Sequence, residues 1–218
     1  MRQRVIQRVL EKKIVAIVRG VYGEDCVKLA EALYAGGIEL LEVTFDQSNP
    51  DLWEKTQEAI ALLNQRLGDR MFFGAGTVTS VELVERAKEA GARFIVSPDV
   101  NKKVIRATVD ADMVSMPGAF TPTEVLSAFS YKADFVKLFP AGDLGSAYLK
   151  AIRGPINHVR VLAVGGVDEN NAGEFLQAGA CGVGAGGKLV NKKWIAEGAW
   201  DKITQHARKL VEAVQSVQ

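Results

Sequence analysis

Short apolar and β-branched runs alternate along the chain with longer stretches of helical spacing. The runs are IVAIVR (14–19), IELLEVTF (38–45), MFFGAGT (71–77), RFIVS (93–97), ADMVSM (111–116), ADFVKLF (133–139), VRVLAVGG (159–166) and CGVGAG (181–186). Their length and content predict buried strands. Between them EDCVKLAEALYAGG has helical spacing and stops on glycine. SVELVERAKEAGA and NNAGEFLQAGA share a design: an amphipathic run, then Ala-Gly-Ala, then a strand. The leading MRQRVIQRVLEKK predicts an amphipathic helix. Eight strand–helix units predict an α/β fold, a (β/α)8 TIM barrel with an N-terminal helix, over residues 1–218 as one domain. A doubly wound open sheet is the alternative; even spacing of eight units favours closure.

Composition narrows the class. A chain of 218 residues, 48% hydrophobic, suits one soluble domain with a full core. A formal net charge of +1 gives no electrostatic case for nucleic acid or an anionic membrane. No apolar run approaches the roughly 20 residues of a membrane span, and the N-terminus is too polar for a signal peptide. Cys26 and Cys181 are far apart and form no CxxC, so a disulfide framework is not expected and a cytoplasmic location is. His158 and His206 stand alone, which argues against a histidine-built metal site.

In such barrels chemistry sits at the C-terminal ends of the strands. Those ends bring Arg19, Glu42 and Lys137 to one mouth. Strand alternation puts Phe135, Lys137 and Phe139 on one face and Val136 and Leu138 on the other. The aliphatic face suits the outer helices, so Lys137 points into the barrel. It is then either half of a buried pair with Glu42 or a catalytic amine. Burial lowers a lysine pKa and leaves neutral amine to attack a carbonyl. Glu42, among Leu41, Val43 and Phe45, is a structural partner of a cation or a proton shuttle. Glu39, near the strand start, is expected to be solvated. GVGAGG (182–187) fits G-x-G-x-x-G, and GVGAGGK nearly fits a P-loop. The first belongs in the first βα turn of a dinucleotide fold, not the eighth. The second needs Ser or Thr where Leu189 stands. These glycines either make tight turns or offer backbone N–H groups to an anion.

The stretches VAIVR, GGIELLEVT, GAGTV, FIVSP, MPGAFTPTE, KLFPA, GGV and GAGGKLV, in that order, resemble the class I 2-keto-3-deoxy-6-phosphogluconate (KDPG) and 4-hydroxy-2-oxoglutarate (KHG) aldolases over nearly the whole chain. The resemblance implies a lyase of carbohydrate metabolism of the Entner-Doudoroff kind, cleaving a 2-keto-4-hydroxy acid to pyruvate and an aldehyde. It implies Lys137 as the Schiff-base lysine, Glu42 as general acid/base, and Thr77, Pro98 and Phe139 around the pyruvyl group. Gly165, Gly166, Gly186 and Gly187 would form the phosphate end. It implies no cofactor or metal, a small-molecule 2-keto acid as partner, and a homotrimer. Three departures stand out. The family's carboxylate-clamp arginine is Asp46 here, the threonine before the strand-7 glycines is Val164, and the strand-8 serine is Gly187. Arg19 is the candidate replacement for the clamp, with Asp46 facing solvent or capping the next helix. Lys188 could partly replace the lost hydroxyls unless alternation turns it away. The FDQSNP loop and AVGG also resemble 2-keto-3-deoxy-6-phosphogalactonate aldolases. A non-aldolase phosphate-binding barrel enzyme, or a catalytically dead barrel used for binding, are the readings from other classes.

Overall fold

The structure, a computed structural model, describes residues 1–217. Nine strands run β1 Ile14–Val18, β2 Leu40–Thr44, β3 Phe72–Gly76, β4 Phe94–Val96, β5 Val114–Met116, β6 Gly118–Ala119, β7 Val136–Leu138, β8 Val161–Val164 and β9 Gly182–Ala185. The helices are α1 Arg2–Lys12, α2 Gly23–Ala35, α3 Trp53–Leu67, α4 Val81–Glu89, α5 Lys102–Asp110, α6 Pro122–Ser130, α7 Ala141–Arg153, α8 Ala172–Gln177, α9 Lys192–Ala196 and α10 Trp200–Gln215. The strands pair in parallel, in the order β5-β4-β3-β2-β1-β9-β8-β7-β6. This is a nearly closed α/β barrel. Nine strands appear where eight runs were expected because a short strand, β6, follows the fifth run on the far side of Pro117. Proline has no N–H for a ladder. β5 therefore pairs with β4, and β6, one residue further on, pairs with β7.

Several predicted strands are shorter than their apolar runs. In 111–116 only Val114–Met116 is strand. Asp112 and Met113 donate back to Val109 and Thr108 at 3.1 Å each, so this stretch closes α5 instead. The two Ala-Gly-Ala repeats have a shared cause. Gly91 and Gly179 take φ of +84° and +102°, the left-handed conformation that stops α4 and α8. The following Ala92 and Ala180 donate back to Ala87 and Phe175. α6 starts on a capping box: Thr121 and Glu124 satisfy each other's backbone N–H, with Pro122 in the first turn.

Alternation works as the sequence predicts. Val136 and Leu138 pack outward under the helices, with Ala16, Val18, Leu41 and Val43. Phe135 packs inward with Val15, Leu40, Phe94, Val114 and Leu162. Val5, Ile6 and Val9 of α1 join that interior cluster. The amphipathic N-terminal helix is thus the plug of the barrel's lower end. It also corrects one expectation. Glu39 is not solvated: Lys12 Nζ lies 2.7 Å from its carboxylate, and Arg8 pairs with it as well. Cys26 and Cys181 are free thiols. Among the described residues no helix is long and apolar enough to cross a membrane.

Candidate active site

Every βα loop leaves the barrel at the same end, so residues just past the strands share one mouth. There the structure has a cavity of ≈ 940 Å³. All ten predicted site residues line it: Arg19, Glu42, Thr77, Pro98, Lys137, Phe139, Gly165, Gly166, Gly186 and Gly187. Lys188, Asp168, Asn191 and Lys192 line it too. Asp46 does not. It turns on itself, its Oδ1 accepting from Ser48 N at 2.9 Å and Ser48 Oγ at 2.6 Å. These bonds hold its carboxyl below the usual range. Asp46 caps its own turn rather than a helix.

Glu42 and Lys137 are buried, 2% and 8% exposed. Burial pushes the Glu42 carboxyl up to about 7, against the pull of Lys137 and Arg19. Burial likewise draws the Lys137 ammonium down from its ordinary value; Glu42 opposes this and Arg19 adds to it. No ion pair within 4.0 Å joins Lys137 to Glu42, or Arg19 to Glu42, among the described residues. Among the described residues Glu42 Oε2 has no hydrogen-bond partner, and neither has the buried Thr44 Oγ1 two residues along the same face. A buried polar atom without a partner is rare and costly, and calls for a functional explanation. Lys137 Nζ lies 4.5 Å from the centre of the Phe139 ring, a cation–π contact.

Two glycines shape this pair. A Cβ on Gly76 would stand 2.7 Å from Glu42 Oε1, so the carboxylate occupies the space a side chain would fill. A Cβ on Gly165 would stand 2.9 Å from the Phe139 ring, which therefore rests directly on the β8 loop. Thr77 holds φ at +56°, unusual for a β-branched residue. Its carbonyl accepts from Gln47 Nε2 at 2.9 Å.

At the other end of the cavity the departures have physical content. Val164 is buried among the interior residues. Gly187 has open space around its Cβ position, so nothing steric requires glycine there. Lys188 does not turn away; its Nζ is 2.7 Å from Asp168 Oδ2. Asp168, Glu169, Asn191 and Lys192 were not read as site residues. Each lies beyond a strand end, where alternation no longer tells direction. Among the described residues no group of three or more His, Cys, Asp or Glu side chains is arranged to hold a metal.

The chain and its barrel have counterparts. The family model "KDPG and KHG aldolase" matches residues 5–206. The chain is 30% identical over 203 residues to the 2-dehydro-3-deoxy-6-phosphogalactonate aldolase of Escherichia coli, covering 93% of this chain and 96% of that one. It is 35% identical over 195 residues to the 2-dehydro-3-deoxy-phosphogluconate aldolase of Treponema pallidum, 88% of each chain. The KDPG aldolase of Legionella pneumophila, solved with pyruvate captured as a covalent carbinolamine intermediate, superposes with a TM-score of 0.82 at 29% identity. The superposition covers 94% of this chain and 97% of that one.

Proposed function

The chain belongs to the KDPG and KHG aldolase family, and on that premise we propose that Lys137 and Glu42 carry its chemistry. It is a class I aldolase, a lyase. The observation that supports these two residues is their geometry: a buried amine and a buried carboxyl line one cavity, unpaired with each other, with one carboxylate oxygen unpartnered. A static ion pair would have closed that gap.

Lys137 Nζ, whose ammonium burial makes easier to deprotonate, attacks as the free amine the C2 carbonyl of a 2-keto-4-hydroxy acid. Glu42 supplies and removes protons as the carbinolamine forms and loses water to give the iminium. Glu42 then takes the C4 hydroxyl proton. The C3–C4 bond breaks, the aldehyde leaves, and its electron pair enters the iminium to give an enamine. Protonation at C3 and hydrolysis release pyruvate and the free lysine. A carboxyl titrating near 7 is suited to both halves of this traffic. Arg19, lining the mouth without an ion-pair partner among the described residues, meets the substrate carboxylate in place of the arginine lost at Asp46. Thr77, Pro98 and Phe139 enclose the pyruvyl group, and Gly165, Gly166, Gly186 and Gly187 face the far end.

The substrate in this reading is 2-dehydro-3-deoxy-6-phosphogluconate, 4-hydroxy-2-oxoglutarate or both, giving pyruvate with glyceraldehyde 3-phosphate or glyoxylate. The Asp46 loop and its Escherichia coli relative favour 2-dehydro-3-deoxy-6-phosphogalactonate as a second reading. A cytoplasmic homotrimer serving an Entner-Doudoroff type of sugar-acid breakdown completes it. Pyruvate release from each of the three acids, with and without EDTA, tests this. Cleavage of at least one, unaffected by chelation, is expected; loss on chelation restored by a divalent ion contradicts a Schiff-base mechanism.

A further inference from the structure

β2 and β3 run side by side, and their ladder reaches one step past the end of β2, where Phe45 N donates to Gly76 O at 2.9 Å. There the β3 chain leaves the sheet, turning at Thr77 with φ at +56°. A β-branched residue in the left-handed region is strained, and such strain persists only where the surroundings over-determine it. On the far side of the turn Val78 N donates to Val96 O at 3.2 Å.

One side chain spans the turn between these two anchors. Gln47 Nε2 donates to Thr77 O at 2.9 Å, and Gln47 Oε1 accepts from Thr79 Oγ1 at 2.9 Å. A carbonyl can only accept, so the bond to Thr77 fixes which way the amide points. The loop that carries Gln47 is tied down in turn. Trp53 Nε1 donates to Asp46 O at 2.8 Å, and Asp46 Oδ1 accepts from both Ser48 N and Ser48 Oγ. The side-chain amide thus continues the strand pairing at the place where the backbone stops doing so.

We propose that Gln47 is a positioning residue: its amide holds Thr77 in the left-handed turn and so sets one wall of the pyruvyl pocket. Gln47 is exposed and does not line the cavity, whereas Thr77 lines it with Glu42 and Lys137. Gln47 therefore acts through Thr77 and touches no reacting atom. A tie that served only stability would act on unfolding and leave pyruvate binding as it is. The inference deepens the aldolase reading and rests on it.

The test measures pyruvate trapping by borohydride on the full-length protein, as the half-saturating pyruvate concentration and the maximal rate. Gln47→Ala removes both bonds across the turn. Gln47→Glu keeps an acceptor for the Thr79 hydroxyl but sets an oxygen against the Thr77 carbonyl. Both should raise the half-saturating concentration roughly three- to tenfold, the effect of about one net hydrogen bond, with the maximal rate within about twofold of wild type. Thr77→Ala removes the wall itself, so adding Gln47→Ala to it should change the half-saturating concentration less than about twofold. An unchanged value in Gln47→Ala overturns the proposal. So does a Gln47→Glu protein that matches wild type, or a Gln47→Ala effect of full size in the Thr77→Ala background. A wild-type protein that traps no pyruvate overturns the aldolase reading, and the proposal with it; wild-type trapping that is indifferent to Gln47 overturns the proposal alone.

Discussion

Replacing Glu42 by glutamine removes an ionisable group from a site that is 2% exposed, and its effect on stability should depend on pH in a calculable way. The folded carboxyl titrates near 7 instead of its ordinary 4.5. Between those values the folded protein holds a proton that the unfolded chain has released. Stability therefore falls as pH rises from about 4.5 to 7, and the full cost is present above that. Each pKa unit is worth about 1.4 kcal/mol, so the ionised carboxylate costs the fold about 3 kcal/mol at pH 8. The attraction of Lys137 and Arg19 is already contained in that value. Glutamine cannot ionise. Any packing cost of its amide is the same at every pH, so the pH-dependent part of the stability difference isolates the carboxylate. Urea unfolding of both proteins at pH 4.5 and pH 8, at one fixed protein concentration, gives the comparison. The variant should gain about 3 kcal/mol relative to wild type on going to pH 8, while losing cleavage activity. A difference that stays flat with pH would refute the idea that burial strains this carboxylate.

Gly76→Ala should act through the same group. Its Cβ would press on Glu42 Oε1 from 2.7 Å, costing about 1–3 kcal/mol of stability by overpacking and lowering kcat at least about tenfold by misplacing the carboxylate. A kcat within twofold of wild type would show that Glu42 has room to spare. Arg19→Ala should weaken pyruvate, read as the concentration that half-saturates borohydride inactivation, by about 1–3 kcal/mol, the range for a hydrogen bond to a charged group. Asp46→Ala, whose parent bonds only to its own turn, should change it little. Equal values for Arg19→Ala and wild type would return the search for the carboxylate partner to the backbone near Thr77.

The barrel was legible because its signals are local. Alternation around Lys137 sets Val136 and Leu138 against the helices whatever the rest of the chain does. The Ala-Gly-Ala repeats likewise announce left-handed helix stops at Gly91 and Gly179. What escaped depends on distant partners. Nothing in residues 1–13 says that Val5, Ile6 and Val9 close the barrel floor, or that Glu39 will meet Arg8 and Lys12. The apolar run 111–116 ends before Pro117, and only the ladder shows a second short strand beyond it, Gly118–Ala119, pairing with β7. In the site, Lys137 and Glu42 stood out because charge inside an apolar strand is costly. Asp168 lies in a loop and Lys192 in the first turn of α9, where a charged residue is ordinary and only the fold brings it to the cavity.

The central claim is that Lys137 bonds covalently to the keto acid. Incubation with pyruvate, reduction by borohydride, and mass analysis of the digested protein tests it most directly. One reduced pyruvyl adduct per chain is expected, on the peptide carrying Lys137, and none in Lys137→Ala. An adduct on Lys150 or Lys188 instead, or none at all, would contradict it.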